Sequence, residues 1–599
     1  MTKLKLLNIL FCNLIFSSNI VLSQLSLEVV YPREDLTITA TDSTFIFGSV
    51  SNPRAQLIVN KFPMRIYPNG AFLGIVPVTP GDFTFRCLAV MDSNSVEVLR
   101  KVYIPPYLTT TPQDTLAVDT SYIFPREDIE LQPGDFLHVT FKGTPGLMGT
   151  FTVAGLVENA SMFESSPWKE FYWGEAVFGE DKPPTTPEIA GVYHGVYKIE
   201  PGIDIQNAEI VFKLSRMNGS SVITTAPGKL TVRNDLIPQI AQLTEELTVA
   251  RTGPGLGYQL FLPKGVKLWI TGKHGRYYRA RLSSSQDVWL PEDNLTFLPQ
   301  GASIPTSTVS VVRTENLPNK SQVKIFLQER LPFSIEQVSN PAYLILSIFG
   351  AISDTDWIRY DFSDPTIREI KWSQPANLVY KLNIRLNQKQ QWGYNPYYED
   401  NNLILEIKKP PKRFSLKNLL IGIDPGHEPD FGAVGPTGLK EKDANLNLSL
   451  VLKEMLEKKG AKVFLTRQGQ HGANLSVRPK LAALMGADIL LSIHHNAIPD
   501  GVNPFTSRGS STYYYHPQSR PLAAAILKRL QEKLKLPNFG LYYDNLALCR
   551  PPQMPAVLIE PAFIMHPEEE MMINSHKYQK KTAKAIIKGI EDFLKQAKN

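Results

Sequence analysis

The chain has 599 residues, 43% of them apolar and 20% charged. At roughly 100–200 residues per domain it should hold three to five domains of ordinary globular composition, which excludes a disordered, collagenous or coiled-coil protein. The formal charge of +6 is mild for this length; it suits an anionic surface such as a cell wall and gives no sign of nucleic-acid binding.

Residues 1–23 read as an export signal. Lys3 and Lys5 precede a mostly apolar run, and small or tolerated residues stand before Gln24. Asn8, Asn13, Ser17, Ser18 and Asn19 make that run a poor membrane span, so no transmembrane segment is expected after signal removal. The three cysteines, Cys12, Cys87 and Cys549, are too few for a disulfide framework. Cys87 and Cys549 are expected as small buried hydrophobes.

Residues 26–105 alternate short strands with turn signals such as Tyr67-Pro68-Asn69-Gly70, a pattern that predicts a β-sandwich. The hexapeptide 31–36 recurs in related form at 124–129, beyond a Pro-rich linker. Residues 118–235 therefore read as a second β-sandwich, with an insertion near 168–187. A smaller β unit follows at 241–300. Residues 305–408 alternate again: Val323, Ile325 and Leu327 share one face, and Tyr380, Leu382, Ile384 and Leu386 another. The aromatic cluster at 392–398 reads as a turn packed on its own sheet, with sugar stacking as the alternative. Lys408-Lys409-Pro410-Pro411-Lys412-Arg413 marks a boundary.

From residue 415 to 599 strands and helices alternate, which predicts an α/β domain. Buried strands are expected at 419–423, 463–466, 489–493 and 556–559, and a further strand at 509–515. Helices are expected at 444–459, 521–536 and 577–595; Leu448, Leu452, Met455 and Leu456 form a stripe on the first. Seven of the ten histidines lie here: His427, His471, His494, His495, His516, His566 and His576. His427 follows the first strand, His494 ends the third and Glu560 ends the last. Open α/β sheets bind ligands beyond the carboxyl ends of their strands. Glu441, just before the first helix, supplies a fourth polar group. Two imidazoles and a carboxylate with an open position form the ligand set of a catalytic zinc, whereas magnesium and calcium prefer all-oxygen shells. A second carboxylate must then move the proton from water to the leaving group, and Glu560 is the candidate. His495 faces away from His494 and reads as a supporting residue. Arg467 and Arg478 read as structural, and Asp424 either orients a ligand or stabilises the turn before Gly426. His471, His516, His566 and His576 are expected in loops or on solvated faces.

These blocks carry a resemblance. Ile423-Asp424-Pro425-Gly426-His427, Gly438-Leu439-Lys440-Glu441, Leu465-Thr466-Arg467, Ser492-Ile493-His494 and Pro555-Ala556-Val557-Leu558-Ile559-Glu560 look like the zinc-dependent N-acetylmuramoyl-L-alanine amidases. The likeness runs over about 417–597. It implies zinc (Zn2+) ligands at His427, Glu441 and His494, a catalytic glutamate at Glu560, and cleavage of the amide between N-acetylmuramic acid and L-alanine of peptidoglycan. Departures stand at Glu428-Pro429, where the family has glycines, at Pro561, at Met565-His566 and at Phe539. Some family members carry an inhibitory helix after the second histidine; the short stretch 497–508 predicts none here. Upstream, 26–105 resembles immunoglobulin-like modules, 241–300 an SH3-like barrel and 305–408 an AMIN-like β-domain. The whole reads as an exported enzyme of the periplasm or cell envelope, acting in wall remodelling or daughter-cell separation. Peptidoglycan is the expected partner, with an envelope activator or division protein as a further one. An inactive wall-binding scaffold and a zinc peptidase acting within the stem peptide are the alternatives.

Overall fold

The computed structural model describes residues 24–39, 41–169, 187–233, 237–469, 472, 474–500 and 502–598. The expected signal at 1–23, most of the insertion near 168–187, and His471 lie outside them. The described chain is all-β up to residue 408 and α/β beyond it. None of its helices is long and apolar enough to cross a membrane.

Residues 24–104 form two facing sheets. One has three strands, Leu27–Tyr31, Ser43–Val50 and Ala71–Pro77; the other has five and includes the long hairpin Gly81–Met91 and Asn94–Ile104. Alternation puts Ile46, Phe72, Val76, Phe85, Cys87 and Ala89 between them. Two four-stranded sheets follow, around Leu137, Phe141, Phe151, Phe212 and Leu214. Short Ile129–Leu131 leaves this core to pair with Leu230–Val232 on one side and Lys267–His274 on the other. The second and third β units thus share one ten-stranded sheet, where two separate units were expected. Residues 307–408 build a five-stranded and a four-stranded sheet around Val323, Ile325, Leu344, Leu382 and Ile384.

The aromatic cluster at 392–398 meets the expectation in part: Tyr394 and Tyr398 pack on their own β unit, and Trp392 does not. Trp392 is buried against Phe414 and Phe593, and Tyr394 lies edge-on to His516. Trp392 joins the core of the C-terminal domain, whereas Tyr394 stays in the core of its own β unit and meets the C-terminal domain through His516. Gln337 and Gln518 bond across the same boundary at 3.0 Å.

Strands and helices of the C-terminal domain are numbered within it: β1 (Leu420–Pro425), α1 (Glu441–Lys458), β2 (Lys462–Leu465), α2 (Val477–Leu484), β3 (Ile489–Ile493), β4 (Ser510–Tyr514), α3 (Arg520–Leu534), β5 (Asn538–Tyr543), β6 (Ala556–Glu560), α4 (Pro567–Ile573) and α5 (His576–Lys598). The sheet order is β2-β1-β3-β6-β4-β5, parallel except where β4 meets β6. Leu448, Leu452 and Leu456 of α1 reach the core together with Ile526, Leu530, Ile586 and Ile590 of α3 and α5. The chain leaves β1 for β2 on one side and then returns to β3 on the other. This reversal opens a crevice at the carboxyl ends of β1 and β3.

The first sandwich docks beside that crevice, although more than 400 residues separate the segments. Phe45, Phe47 and Leu73 bury Met565, with Tyr31 and Ile498 packed alongside. Tyr31 and Thr44 both donate to Asp500, Thr44 at 3.2 Å. Placing a carboxylate in this apolar contact should undock the sandwich. Phe47→Asp is expected to weaken docking by about 3–5 kcal/mol. Limited proteolysis in the 105–117 linker should then release an intact fragment ending near residue 104; unchanged cleavage would count against this interface.

Candidate metal centre and catalytic site

Strand β1 hands the chain to Gly426 and His427. A Cβ on Gly426 would lie 2.3 Å from the His494 imidazole, so the turn admits that ring only as glycine. Gly432, at φ +65°, is as close: a Cβ there would come within 2.5 Å of Glu441 Oε2 and of the His427 ring. His427 and Glu428 adopt φ of 68° and 76°, a left-handed region costly for residues with side chains. Arg478 of α2 secures this turn by donating to the carbonyls of His427, at 2.5 Å, and Glu428. A buried Glu428–Lys442 pair at 2.9 Å adds to it. Glu428 is held by these contacts.

Glu441 is the first residue of α1, where a carboxylate also faces the positive end of the helix dipole. Its Oε2 lies 2.9 Å from His427 Nε2, and its Oε1 lies 3.0 Å from His494 Nδ1. The two imidazoles stand edge to face, with centroids 4.9 Å apart. One ligand atom from each of the three residues lies within 4.8 Å of the others. A zinc ion with bonds near 2.1 Å would set its ligand atoms roughly 3.4 Å apart, so small shifts would admit it. His427, Glu441 and His494 could therefore hold one metal ion.

The surroundings fix these groups. The backbone amides of Ala433 and His495 and the Asn445 side chain donate to Glu441 at 2.9, 3.1 and 3.1 Å. Burial alone would raise the Glu441 carboxyl, but the two imidazoles hold it well below its ordinary range. Burial would lower His427; Glu441 and Asp430 outweigh this and raise it. Asp430 Oδ1 sits 2.6 Å from His427 Nδ1. Without a metal, Nε2–H faces the Glu441 carboxylate as a donor; with a metal bound, the Asp430 contact would keep the ring proton on Nδ1 and free the Nε2 lone pair as a ligand. The sequence offered no sign of Asp430, since its role arises only from the turn after His427. Removing such an outer partner typically costs 10–100-fold in metal affinity. Asp430→Ala is expected to weaken zinc binding by about that factor, read by competition with a chelating dye; unaltered affinity would show that Asp430 does not orient the ring.

His495 points the other way and is buried, its Nδ1 2.8 Å from Asn445 Oδ1. Burial pushes it down to about 4, so it stays neutral and ties the strand end to α1. Asp424 accepts from Thr466 and, at 2.8 Å, from Ser492; it anchors the turn and touches neither histidine. Arg467 donates to the carbonyls of Pro425, Gly426 and Lys442 at 2.7, 3.0 and 2.7 Å, a structural role like that of Arg478.

Glu560 ends β6, opposite Ser511 of β4. Its Oε2 is buried without a hydrogen-bond partner. Burial, with a contribution from Glu441, pushes its carboxyl up to about 8. Nearby, Asn496 donates to the Tyr513 hydroxyl at 3.3 Å, and Tyr513 stacks on Tyr542 with centroids 5.1 Å apart. Tyr513 gave no sequence signal, because β4 places it beside Glu560 only through pairing with β6.

His516 and His566 lie in loops, as one of the two expected settings has it, but are enclosed rather than solvated. His566 is buried at the start of α4, 3.0 Å from Arg508, and burial pushes it down to about 4. His516 bonds the Arg550 carbonyl at 2.6 Å and is likewise pushed down to about 4 by burial. Partners from distant segments enclose both. His576 is exposed, as expected. Cys87 and Cys549 are buried and free.

Residues 421–592 match the family of N-acetylmuramoyl-L-alanine amidases. They form a domain of that family. The probable cell wall amidase LytH of Staphylococcus saprophyticus is 31% identical over 198 residues, covering 33% of this chain and 65% of the relative. Its Staphylococcus aureus counterpart is 32% identical over 196 residues, covering 32% of this chain and 64% of the relative. The chain thus spans just under two thirds of the length of these relatives. Among solved structures, an N-acetylmuramoyl-L-alanine amidase from Clostridium difficile 630 is 32% identical, covers 30% of this chain and 98% of its own, and has a TM-score of 0.29. AmiC2 of Nostoc punctiforme is 31% identical, with coverages of 30% and 97% and a TM-score of 0.28. The amidase domain occupies the last third of the chain, and the β units before it lie outside the matched region.

Proposed function

We propose that the chain is an exported zinc amidase of the cell envelope or periplasm. It would hydrolyse the bond between N-acetylmuramic acid and L-alanine of peptidoglycan during wall remodelling or daughter-cell separation. The observation that carries this reading is the convergence of His427, Glu441 and His494 within 4.8 Å, inside a domain of the amidase family. These three would hold zinc. Zinc, when bound, supplies Lewis acidity to the scissile carbonyl and to the attacking water.

The remaining work falls to the chain's own residues. Asp430 keeps the His427 proton on Nδ1, and Asn445 with the Ala433 amide orients Glu441. Glu560 takes the proton of the attacking water on its carboxylate and passes it to the departing L-alanine nitrogen. Its partner-free oxygen and its near-neutral proton affinity suit a group that both accepts and donates. Upstream, we read 26–105 and 118–235 as sandwiches of which the first is immunoglobulin-like, 241–300 as SH3-like and 305–408 as AMIN-like. These units would hold the enzyme on the wall or on an envelope activator or division protein.

The test is mass spectrometry of soluble products from purified peptidoglycan, with zinc and with chelator. Stem peptides bearing a free L-alanine amine, released only with zinc, are expected. Cleavage inside the stem peptide would move the assignment to a peptidase. Bound zinc without products, from full-length protein and from 415–599 alike, would favour a binding role.

A further inference from the structure

A second site lies away from the metal cluster, where residues 307–408 meet the amidase domain. A cleft of about 1280 Å³ separates them there, walled on one side by the β unit and on the other by the amidase domain and the 409–417 connector. Six cationic side chains and two carboxylates line it, leaving an excess of four positive charges. The carboxylates are already paired: Glu406 with Lys320 at 2.6 Å and Asp488 with Lys408 at 3.0 Å. Lys409 donates only to neutral oxygens, those of Asn316 and Leu317. Lys412, Arg413 and Lys417 make no hydrogen bond or ion pair among the described residues and are exposed.

Clustered like charges repel; Asp361 stands near Lys409, but among the described residues no carboxylate pairs with Lys412, Arg413 or Lys417. An anion in the cleft would offset them. A phosphate group offers several oxygens to such a cluster at once, and a guanidinium such as that of Arg413 can meet two of them together. The neutral lining is amide-rich. Asn319, Asn387 and Gln388 border the cleft, and both amide atoms of Gln388 are buried without a partner. Amides that both donate and accept match hydroxyl groups. The lining presents no exposed aromatic ring on which a base could stack, and that disfavours a single-stranded nucleic acid. We infer that this cleft binds a phosphate-bearing polyol or sugar polymer, and so tethers the chain to an anionic component of its surroundings. The inference stands apart from the amidase reading, because binding is measured without turnover.

The experiment is calorimetric titration of the full chain with a synthetic poly(glycerol phosphate) hexamer, and separately with inorganic phosphate. The hexamer should bind at least tenfold more tightly than phosphate, and more weakly as salt rises. The triple variant K412A/R413A/K417A should lose at least tenfold in hexamer affinity. A control of equal charge on the first sandwich, R54A/K61A/K101A, should stay within twofold of wild type. An unaltered triple variant, an equal loss in the control, or phosphate binding as tight as the hexamer would each overturn the proposal. Thermal melting reports whether the triple variant is folded; if it is not, Arg413→Gln alone should still lose about threefold.

Discussion

Replacing Glu560 by glutamine is expected to lower turnover on peptidoglycan by about 10²–10⁴-fold, the range a positioned general acid–base contributes, with zinc content unchanged. Glutamine keeps the shape of the side chain at the end of β6 and removes only its proton traffic. No described contact links Glu560 to the ligand cluster by a hydrogen bond, so the metal should stay. Loss of zinc along with activity would instead place Glu560 among the groups that hold the cluster together.

The same variant has a pH signature in the metal-free chain. Burial raises the Glu560 carboxyl from 4.5 to about 8. Between those values the folded chain binds more protons than the unfolded one, so stability falls as pH rises through that window. Below it both states are protonated, and above it both are ionised. In the presence of chelator, Glu560→Gln should therefore melt near wild type at pH 5 and several degrees above it at pH 8. Identical melting at both pH values would show that the carboxyl is not desolvated as its setting implies.

What the sequence made legible follows from locality. The stripe on α1 and the buried strands β1, β3 and β6 are short-range patterns, and the chain folds them as read. His427, Glu441, His494 and Glu560 each sit at the end of such an element, so the sheet rule brings them to one crevice. Asp430 and Tyr513 were not legible, because each acquires its partner through a turn or through strand pairing; Asn445 gains its role only where α1 packs on the end of β3. Helix α2 is short and buries little beyond Arg478 and Ala482, which leaves almost no periodic signal. The half-buried His516, the buried His566 and the burial of Trp392 depend on contacts between segments far apart in sequence. So does the sheet shared through Ile129–Leu131, where one three-residue strand joins two units.

Glu441 is where metal binding and folding meet, and its removal should have the largest effect on stability. It is buried and receives the Ala433 and His495 amides, the Asn445 side chain and both imidazoles. Glu441→Ala leaves those donors unpaired inside the domain. A buried donor without a partner costs about 1–3 kcal/mol, and breaking a buried charged pair about 3–5 kcal/mol. A loss of roughly 3–5 kcal/mol is expected even in chelator, together with loss of zinc. His494→Ala separates the two roles. It also removes a ligand and should abolish zinc binding, but it leaves Glu441 with four of its five donors. In chelator it should cost only about 1 kcal/mol, the net worth of one hydrogen bond. Denaturant titration with chelator, beside metal analysis without it, tests the pair. Equal destabilisation by the two variants would mean that Glu441 serves the metal alone; the network around it implies that the carboxylate also holds β1, β3 and α1 in register before any ion arrives.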